Sequence, residues 1–263
     1  MLIRFIHGIA FGFSSTATGT ISSRIIPENR KGEGIGYYGL SVTLASAIGP
    51  FIGLVFNNHL GFKSIFAISL LSILIAFVLS IFIKRLPLLN HNLEAKDQPG
   101  GMHAYLQKEA LPISLVVILI GVAYSSVLSF LSIYSEKINL VTTSSFFFIV
   151  FAIVTFITRP FTGKIYDNYG ENKVMYPVLL SFTFGLIILG FTHTSMILLI
   201  AAAFIGFGYG TIVPTAQAIA IQQSPANKMG LATSTFYIFA DFGAGMGPFI
   251  LGIIIPFIGY RHL

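Results

Sequence analysis

The sequence predicts an all-α protein, a polytopic membrane helix bundle with two pseudo-symmetric halves, and three observations support this prediction. Apolar residues make up 55% of the 263 residues, charged residues 9%, and the mean hydropathy is +0.86. This leaves too little polar surface for a globule in water. Apolar stretches of about 20 residues, enough to cross a bilayer, recur along the chain, and a segment near its start returns further on.

The internal repeat aligns residues 8–63 with residues 206–261 without a gap, at an offset of 198 residues. It contains eleven identities, against about four or five expected by chance for this composition. The identical pairs are Gly8 and Gly206, Gly12 and Gly210, Ile21 and Ile219, Pro27 and Pro225, Asn29 and Asn227, Gly32 and Gly230, Gly49 and Gly247, Pro50 and Pro248, Phe51 and Phe249, Ile52 and Ile250, and Gly61 and Gly259. Because Gly and Pro set backbone geometry, their coincidence predicts two segments of the same shape.

Eight membrane-spanning helices are predicted from the apolar stretches. They cover 2–26, 37–60, 64–83, 111–134, 143–166, 174–192, 195–222 and 229–257. The one long connection, 84–110, contains Pro, Gly and interspersed charges, which predicts a flexible hydrophilic linker.

The repeat relates the first helix to the seventh, so one unit contains six helices and both copies enter the membrane from the same side. Such a parallel repeat has its axis along the membrane normal. On this count, 1–83 holds the last three helices of a first half, 84–110 is the linker, and 111–263 holds the first five helices of a second half. Three helices would then precede Met1 and one would follow Leu263, so eight helices would form an incomplete bundle.

Lys and Arg predict the orientation. If the linker is cytoplasmic, eleven of these residues fall on its side and four on the other. The eleven are Arg24, Arg30, Lys31, Lys84, Arg85, Lys96, Lys108, Arg159, Lys164, Lys173 and Lys228, and the four are Arg4, Lys63, Lys137 and Arg261. This positive-inside bias predicts a multi-pass protein of the cytoplasmic membrane, surrounded by lipid, with its Met1 end outside the cell.

Composition and spacing exclude several other classes of function. The net charge of +6 does not indicate nucleic-acid binding, because the bases stand singly at the ends of hydrophobic runs. The sequence has no Cys, which excludes disulfides and thiolate chemistry. No residues have the spacing of a metal site, of a nucleophile with its base, or of a phosphate loop, so we predict no metal, no cofactor and no enzymatic activity.

The first two helices carry motifs that resemble those of the major facilitator superfamily, and more narrowly of its twelve-helix drug:proton antiporters. Residues 2–8, Leu-Ile-Arg-Phe-Ile-His-Gly, are similar to the fourth-helix motif of that branch, with His7 where the branch usually has Gln. Residues 45–53 resemble the fifth-helix antiporter motif centred on Gly-Pro, here Gly49 and Pro50.

A third motif lies between the fifth and sixth helices. Residues 163–173 keep Gly163, Asp167, Gly170 and the final base, Lys173, of the superfamily's short cytoplasmic loop. The resemblance implies that the chain corresponds to helices 4 to 11 of a secondary transporter that moves a small molecule in exchange for protons by alternating access. We expect such a protein to be a monomer when complete.

The Gly-Pro motif predicts a tight seam between the halves. Ala45, Gly49 and Gly53 are spaced by four, which gives one smooth helical face, and Pro50 bends the helix. Ordinary helix packing is the alternative. Recurrence of the motif at Gly247-Pro248 favours the seam.

Asp167 is predicted at the cytoplasmic face, near Arg159, Lys164 and Lys173. It could pair with these bases, or cap a helix from the other half, where free amides and the helix dipole favour negative charge. By repeat symmetry that helix is the second, expected to begin near residues 34–36. The contact would hold the inner gate closed, although a solvated turn also fits Asp-Asn-Tyr-Gly.

Asp241 is the principal candidate for proton coupling. It lies about 18 Å into the eighth helix, near the bilayer midplane, where a carboxylate is costly unless it meets water or a partner. It points about 200° away from Gly243, and so away from the packing face of Gly243 and Gly247. We therefore predict a protonatable group that faces the transport cavity, with a structural ion pair as the alternative.

Further candidates lie on the first, fourth and seventh helices. Arg4 is either a buried proton-relay base, as the resemblance implies, or an anchor that reaches the membrane surface, and His7 is either a titrating group or a packing residue. Tyr124, Tyr209 and Gln217 are cavity candidates, because the first and fourth helices of each half face the cavity in this superfamily, although tyrosines also form interfacial belts.

The sequence thus predicts a proton-coupled exporter of small amphipathic compounds or drugs. Two alternatives remain: export or import of one metabolite or metal chelator, and a truncated transporter fragment without activity of its own.

Overall fold

A computed structural model of the protein describes residues 2–82 and 105–260, apart from seven side chains between residues 47 and 59, that of Pro50 among them. These ranges form eight α-helices and two short 3-10 turns. The helices are α1 (Leu2–Ile25), α2 (Lys31–Leu60), α3 (Phe62–Ile81), α4 (Leu111–Lys137), α5 (Val141–Tyr169), α6 (Asn172–Gly190), α7 (Ser195–Gln222) and α8 (Met229–Ile258). The 3-10 turns, Glu28–Arg30 and Ala226–Lys228, precede α2 and α8.

The predicted helices agree closely with the observed ones. Inside the described ranges every predicted end lies within three residues of the observed end, except the start of α2, which is Lys31 and not residue 37. Residues 31–36 contain three glycines and two charged residues, which conceals a helical first turn from sequence patterns. The turn is helical because its amides find acceptors on another helix, as described below.

The chain is a multi-pass membrane protein. Among the described residues, seven helices are long and apolar enough to cross a bilayer. The eighth, α1, is also long enough at 24 residues, but Ser and Thr crowd its C-terminal half and lower its hydropathy. Apolar side chains cover the outer faces of the bundle, as expected for helices surrounded by lipid.

The repeat is visible in the backbone itself. Both α2 and α8 have 30 residues, and each begins after a proline and a 3-10 turn. Each also ends at a glycine with positive φ, Gly61 at 78° and Gly259 at 76°, a conformation that only glycine adopts without strain. The two segments therefore have the same length and begin and end in the same way, at prolines and glycines that they share.

Helix contacts also follow the repeat. α1 packs against α8, and the repeat-related pair, α7 and α2, packs as well. Two residues even touch their own repeat copies: the Lys31 amine lies 3.9 Å from the sulfur of Met229, and a Cβ added to Gly19 would lie 3.3 Å from Nε2 of Gln217. Since a residue meets its symmetry copy only near the symmetry axis, the pseudo-two-fold axis passes between the members of these pairs.

The second half holds the core of the described structure. α7 lies between α5 and α6 and approaches them through glycines: a Cβ at Gly206 would lie 2.7 Å from the carbonyl oxygen of Phe151, and one at Gly208 2.6 Å from the amide of Phe182. By contrast, α3 has no buried residue.

The end of the predicted linker is packed against the bundle. The amide of Gln107 donates to Oγ1 of Thr235 on α8 at 2.9 Å, and Gln107 and Ala110 are buried. Residues 105–110 are therefore not the flexible segment predicted, because α8 offers them a buried hydroxyl. Residues 84–104 lie outside the described ranges.

Candidate functional site

The first element of the site is a junction between α2 and α5. Asp167, near the end of α5, accepts hydrogen bonds from the amides of Gly32 at 2.7 Å and Glu33 at 2.9 Å. These amides belong to the first turn of α2, where no intrahelical partner exists and the helix dipole favours an anion. Asp167 thus caps a helix from the other side of the linker, and no ion pair joins it to a base within the described residues.

Two further contacts hold the same junction. Arg159 is almost fully buried, and its Nε donates to the carbonyl oxygen of Gly36 at 2.7 Å. One turn along α5, a Cβ at Gly163 would lie 2.8 Å from Cα of Glu33. Only glycine permits so close an approach of two helix backbones. Gly170 ends α5 with φ of 83°, and Lys173 lies exposed on the next helix.

The structure shows the surroundings of only one of the two Gly-Pro motifs. A Cβ at Gly247 would meet Val122 of α4 at 3.1 Å, so Gly247 packs against a helix of its own half, while a role of the neighbouring Pro248 in a seam stays a prediction. A Cβ at Gly49 or Gly53 would meet no described atom within 4 Å, and the side chain of Pro50 lies outside the described part. A glycine face specifies close contact without specifying the neighbour, and a seam at Gly49, Pro50 and Gly53 stays a prediction.

Asp241 stands on the opposite face of α8. Gly243, two residues on, is buried against α4, where a Cβ would lie 2.6 Å from the carbonyl oxygen of Ile118. The Asp241 side chain is exposed, so it points away from this packing face, as predicted. Within the described residues it has neither a hydrogen bond nor an ion pair, which leaves its role in proton coupling a prediction.

Asp241 borders two cavities, one on each side of α1. The larger, of about 630 Å³, lies between α1, α2 and α8, and the smaller, of about 350 Å³, lies between α1 and α8. The larger is lined by Phe11, Ser14, Ser15, Thr18, Tyr38, Ser41, Val42, Ala45, Ser46, Tyr237 and Asp241. Asp241 is the only charged residue among the described residues that line either cavity. Both cavities are therefore hydroxyl-rich and aromatic, with a single negative charge.

Tyrosines form one wall of the larger cavity. Tyr237 precedes Asp241 by one turn and borders both cavities with it. Tyr38 comes from α2, and its hydroxyl lies 3.0 Å from that of Thr18 on α1. Gln217 lies behind this wall, nearly fully buried, and its Nε2 donates to the hydroxyl of Tyr237 at 3.4 Å. The predicted cavity residue Gln217 thus supports the wall without lining the cavity.

Tyr124 and Tyr209 pack together inside the second half. Their rings stack at 3.6 Å between centroids, inside the second half among Phe151 and Phe182. Tyr124 is 4% exposed, and neither tyrosine lines a cavity next to Asp241. The first and fourth helices of each half were predicted to face the cavity. In the second half these helices are α4 and α7, and the side chains of Tyr124 and Tyr209 fill the space between them.

Arg4 and His7 lie exposed on the first two turns of α1. In the described part of the chain neither makes a hydrogen bond or an ion pair, and neither lines a cavity with Asp241. Their proposed place in a proton relay stays a prediction. Within the same described part, no group of three or more acidic or His residues is placed to hold a metal ion.

Sequence reasoning missed Tyr38 and Tyr237. For Tyr237 a signal was available, because a residue four positions before Asp241 shares its helix face. For Tyr38 there was none, since its place opposite Asp241 depends on how α2 packs across the axis.

Comparisons with known proteins agree with this architecture. Residues 1–260 match the family described as Major Facilitator Superfamily. Among curated proteins, the chain is 24% identical over 273 residues to a protein from Salmonella arizonae and 24% identical over 271 residues to one from Klebsiella pneumoniae, both named Multidrug resistance protein MdtG. The alignments cover 99% of this chain but only 66% and 65% of those proteins. No solved structure matches significantly.

Proposed function

The chain belongs to the major facilitator superfamily, a transporter family and not an enzyme family, and we propose that it exports small amphipathic compounds in exchange for protons. The observation that carries this proposal is Asp241, a carboxylate without a partner in the described residues, at cavities between the two halves. Inside a membrane such a group is costly unless it meets water, a proton or a cation. A carboxylate that holds a proton and cargo in turn would couple their movements.

The lining suggests which cargo fits. Phe11, Tyr38 and Tyr237 offer aromatic faces, which attract apolar rings and positive charge. No described Lys, Arg or His lines the cavities, so a sugar phosphate or another anion would lack a counter-charge. We therefore favour amphipathic compounds, with cationic ones ahead of neutral ones. The relatives' name, multidrug resistance protein, supports the same class of cargo.

The described conformation supports alternating access. Asp167, Arg159 and Lys31 all make their contacts at one end of the bundle, where α1 ends and α2 and α8 begin. The cavities beside Asp241 begin on the other side of these contacts. If the positive-inside bias sets the orientation, the closed end is cytoplasmic and Asp241 is reached from outside.

The proton gradient provides enough energy for such a cycle. One charge that moves through 100 mV releases about 2.3 kcal/mol, which corresponds to roughly fifty-fold accumulation of cargo. One proton per cargo molecule would therefore suffice for useful export.

Dye transport tests the proposal. Everted vesicles that contain the protein should take up ethidium when a proton gradient is imposed, and should stop when the gradient is dissipated. Chemically unrelated amphipathic dyes should compete with ethidium, whereas vesicles without the protein provide the control.

The other outcomes identify the alternatives. Transport of one compound without competition among dyes would favour an exporter or importer of a specific metabolite or metal chelator. No uptake of any dye, with correctly inserted protein, would favour a fragment without activity.

A further inference from the structure

The pseudo-two-fold axis passes through a contact that is asymmetric in size. Gly19 of α1 and Gln217 of α7 occupy equivalent positions of the repeat. A Cβ at Gly19 would lie 3.1 Å from Cγ2 of Thr233 and 3.3 Å from both Nε2 of Gln217 and Cε2 of Tyr237. Gly19 therefore forms a socket that receives side chains from the second half, and we call this contact the Gly19 socket.

A second position shows the same asymmetry. Gly39 of α2 is the repeat equivalent of Tyr237, and a Cβ there would lie 2.5 Å from side-chain carbons of Pro214 on α7. At both places the first half has hydrogen where the second half has a large side chain. At both repeat positions, therefore, the small residue belongs to the first half and the large side chain to the second.

The socket is joined directly to the Asp241 site. The ring of Tyr237 has one edge at Gly19, its hydroxyl accepts a hydrogen bond from Gln217, and it lines both cavities one turn from Asp241. The Tyr237 ring is therefore in contact with both members of the socket, Gly19 of α1 and Gln217 of α7.

We propose that Gln217, seated in the Gly19 socket, is the positioning residue that makes closure of this end of the bundle assemble the Asp241 site. When the halves separate at this end, Gln217 and the edge of the Tyr237 ring both leave Gly19, so Tyr237 loses its contact with α1 and keeps only its bond to Gln217. Cargo held between Tyr237 and Asp241 then favours the closed state, and closure strengthens cargo binding by the same factor. This inference rests on the proposed function only in taking the Asp241 cavities as the place where cargo binds.

A single introduced cysteine reports closure without any cargo. The sequence has no Cys, and Ser23 is fully buried at the closed end of α1, so Ser23→Cys should react slowly with an impermeant maleimide applied from either side. Opening of this end exposes the thiol and accelerates the reaction. The measurement uses the whole chain in its membrane.

An exchange of the two equivalent residues tests the socket. Gly19→Gln overfills it and should raise the labelling rate about tenfold, whereas Gly19→Gln with Gln217→Gly restores one large and one small residue and should return the rate toward that of the parent. Gly8→Gln is the matched control, because a Cβ at Gly8 meets no described atom within 4 Å. Should Gly19→Gln disrupt folding, Gly19→Ala, with contacts at 3.1 to 3.3 Å, should give a smaller rise in the same direction.

Gln217→Leu tests positioning separately from filling. Leucine fills the socket but cannot donate to Tyr237, so labelling should stay slow while the KM for ethidium rises several-fold at unchanged maximal rate. The inference would be overturned if neither Gly19 variant changed the labelling rate, or if the exchange variant labelled as fast as Gly19→Gln. It would also be overturned if Gln217→Leu left the KM for ethidium unchanged. Absence of ethidium transport in the parent would instead count against the proposed function, since the labelling results need no cargo.

Discussion

Helices α1 and α7 are equivalent in the repeat, yet they are buried to very different extents. Most residues of α7 are buried, whereas α1 buries only Gly19 and Ser23. Gly206 of α7 lies against the backbone of α5, while its equivalent, Gly8, meets no described atom. The glycine pattern is therefore a property of the repeat, and burial is a property of the neighbours that each copy finds.

Helices α2 and α8, which are also equivalent in the repeat, differ in the same way. Gly247 is buried against α4, whereas a Cβ at its equivalent, Gly49, would meet no described atom within 4 Å.

The largest effect should come from filling the equivalent glycines. Gly206→Leu forces a side chain against the backbone of Phe151, which cannot move aside, and overpacking of this kind costs about 1–3 kcal/mol or more. Gly8→Leu should cost less than about 0.5 kcal/mol. Thermal unfolding of the purified variants measures both. Equal destabilisation by the two substitutions would show that Gly8 is packed as tightly as Gly206, and would contradict the difference in burial between α1 and α7.

Sequence alone gave most of the fold because its signals are local. The helices follow from apolar runs, and their ends from residues such as Pro27 and Gly61, whose backbone preferences need no neighbour. The start of α2 could not be found in this way, because its first turn depends on Asp167, which lies over 130 residues away in the chain.

The sequence predicted those features of the candidate site that depend only on the geometry of a single helix. The direction of Asp241 follows from its angle to Gly243, and the structure agrees. The neighbours of Tyr124 and Gly247 could not be read from the sequence, because the helix that meets a given face is decided by tertiary packing. Similarly, nothing local indicates that Gly19 and Gln217 meet on the axis, although their equivalence was readable from the repeat.

A smaller effect should distinguish the first turns of α2 and α8. Asp167 caps α2, and no described carboxylate caps α8. Asp167→Asn keeps one acceptor but loses the charge, which should weaken the closed state by about 1–2 kcal/mol. The Ser23→Cys label should then react several-fold faster, while Lys164→Ala, on the same helix, should not change the rate. An Asp167→Asn protein that labels like the parent would show that the cap does not hold the gate.

The smallest effect is expected at Lys31, whose repeat equivalent is Met229. The buried amine donates to the carbonyl oxygen of Ser23 at 2.9 Å and pairs with Glu28 at 3.2 Å. Because such bonds roughly offset the cost of burying a charge, Lys31→Met, which makes the axis pair identical, should change stability by less than about 1 kcal/mol. Lys31→Ala leaves space unfilled and should melt lower. If both variants melt equally low, the amine itself is essential.

The most direct test of the account is a comparison of two transport modes in Asp241→Asn. In everted vesicles, counterflow of ethidium needs only alternating access, whereas accumulation against a gradient also needs proton exchange. We predict that Asp241→Asn retains counterflow, with a raised KM because the cation loses its counter-charge, and loses proton-driven accumulation, and that Asp241→Glu retains part of both. Accumulation by Asp241→Asn equal to that of the parent would contradict the central claim that this carboxylate exchanges protons for cargo.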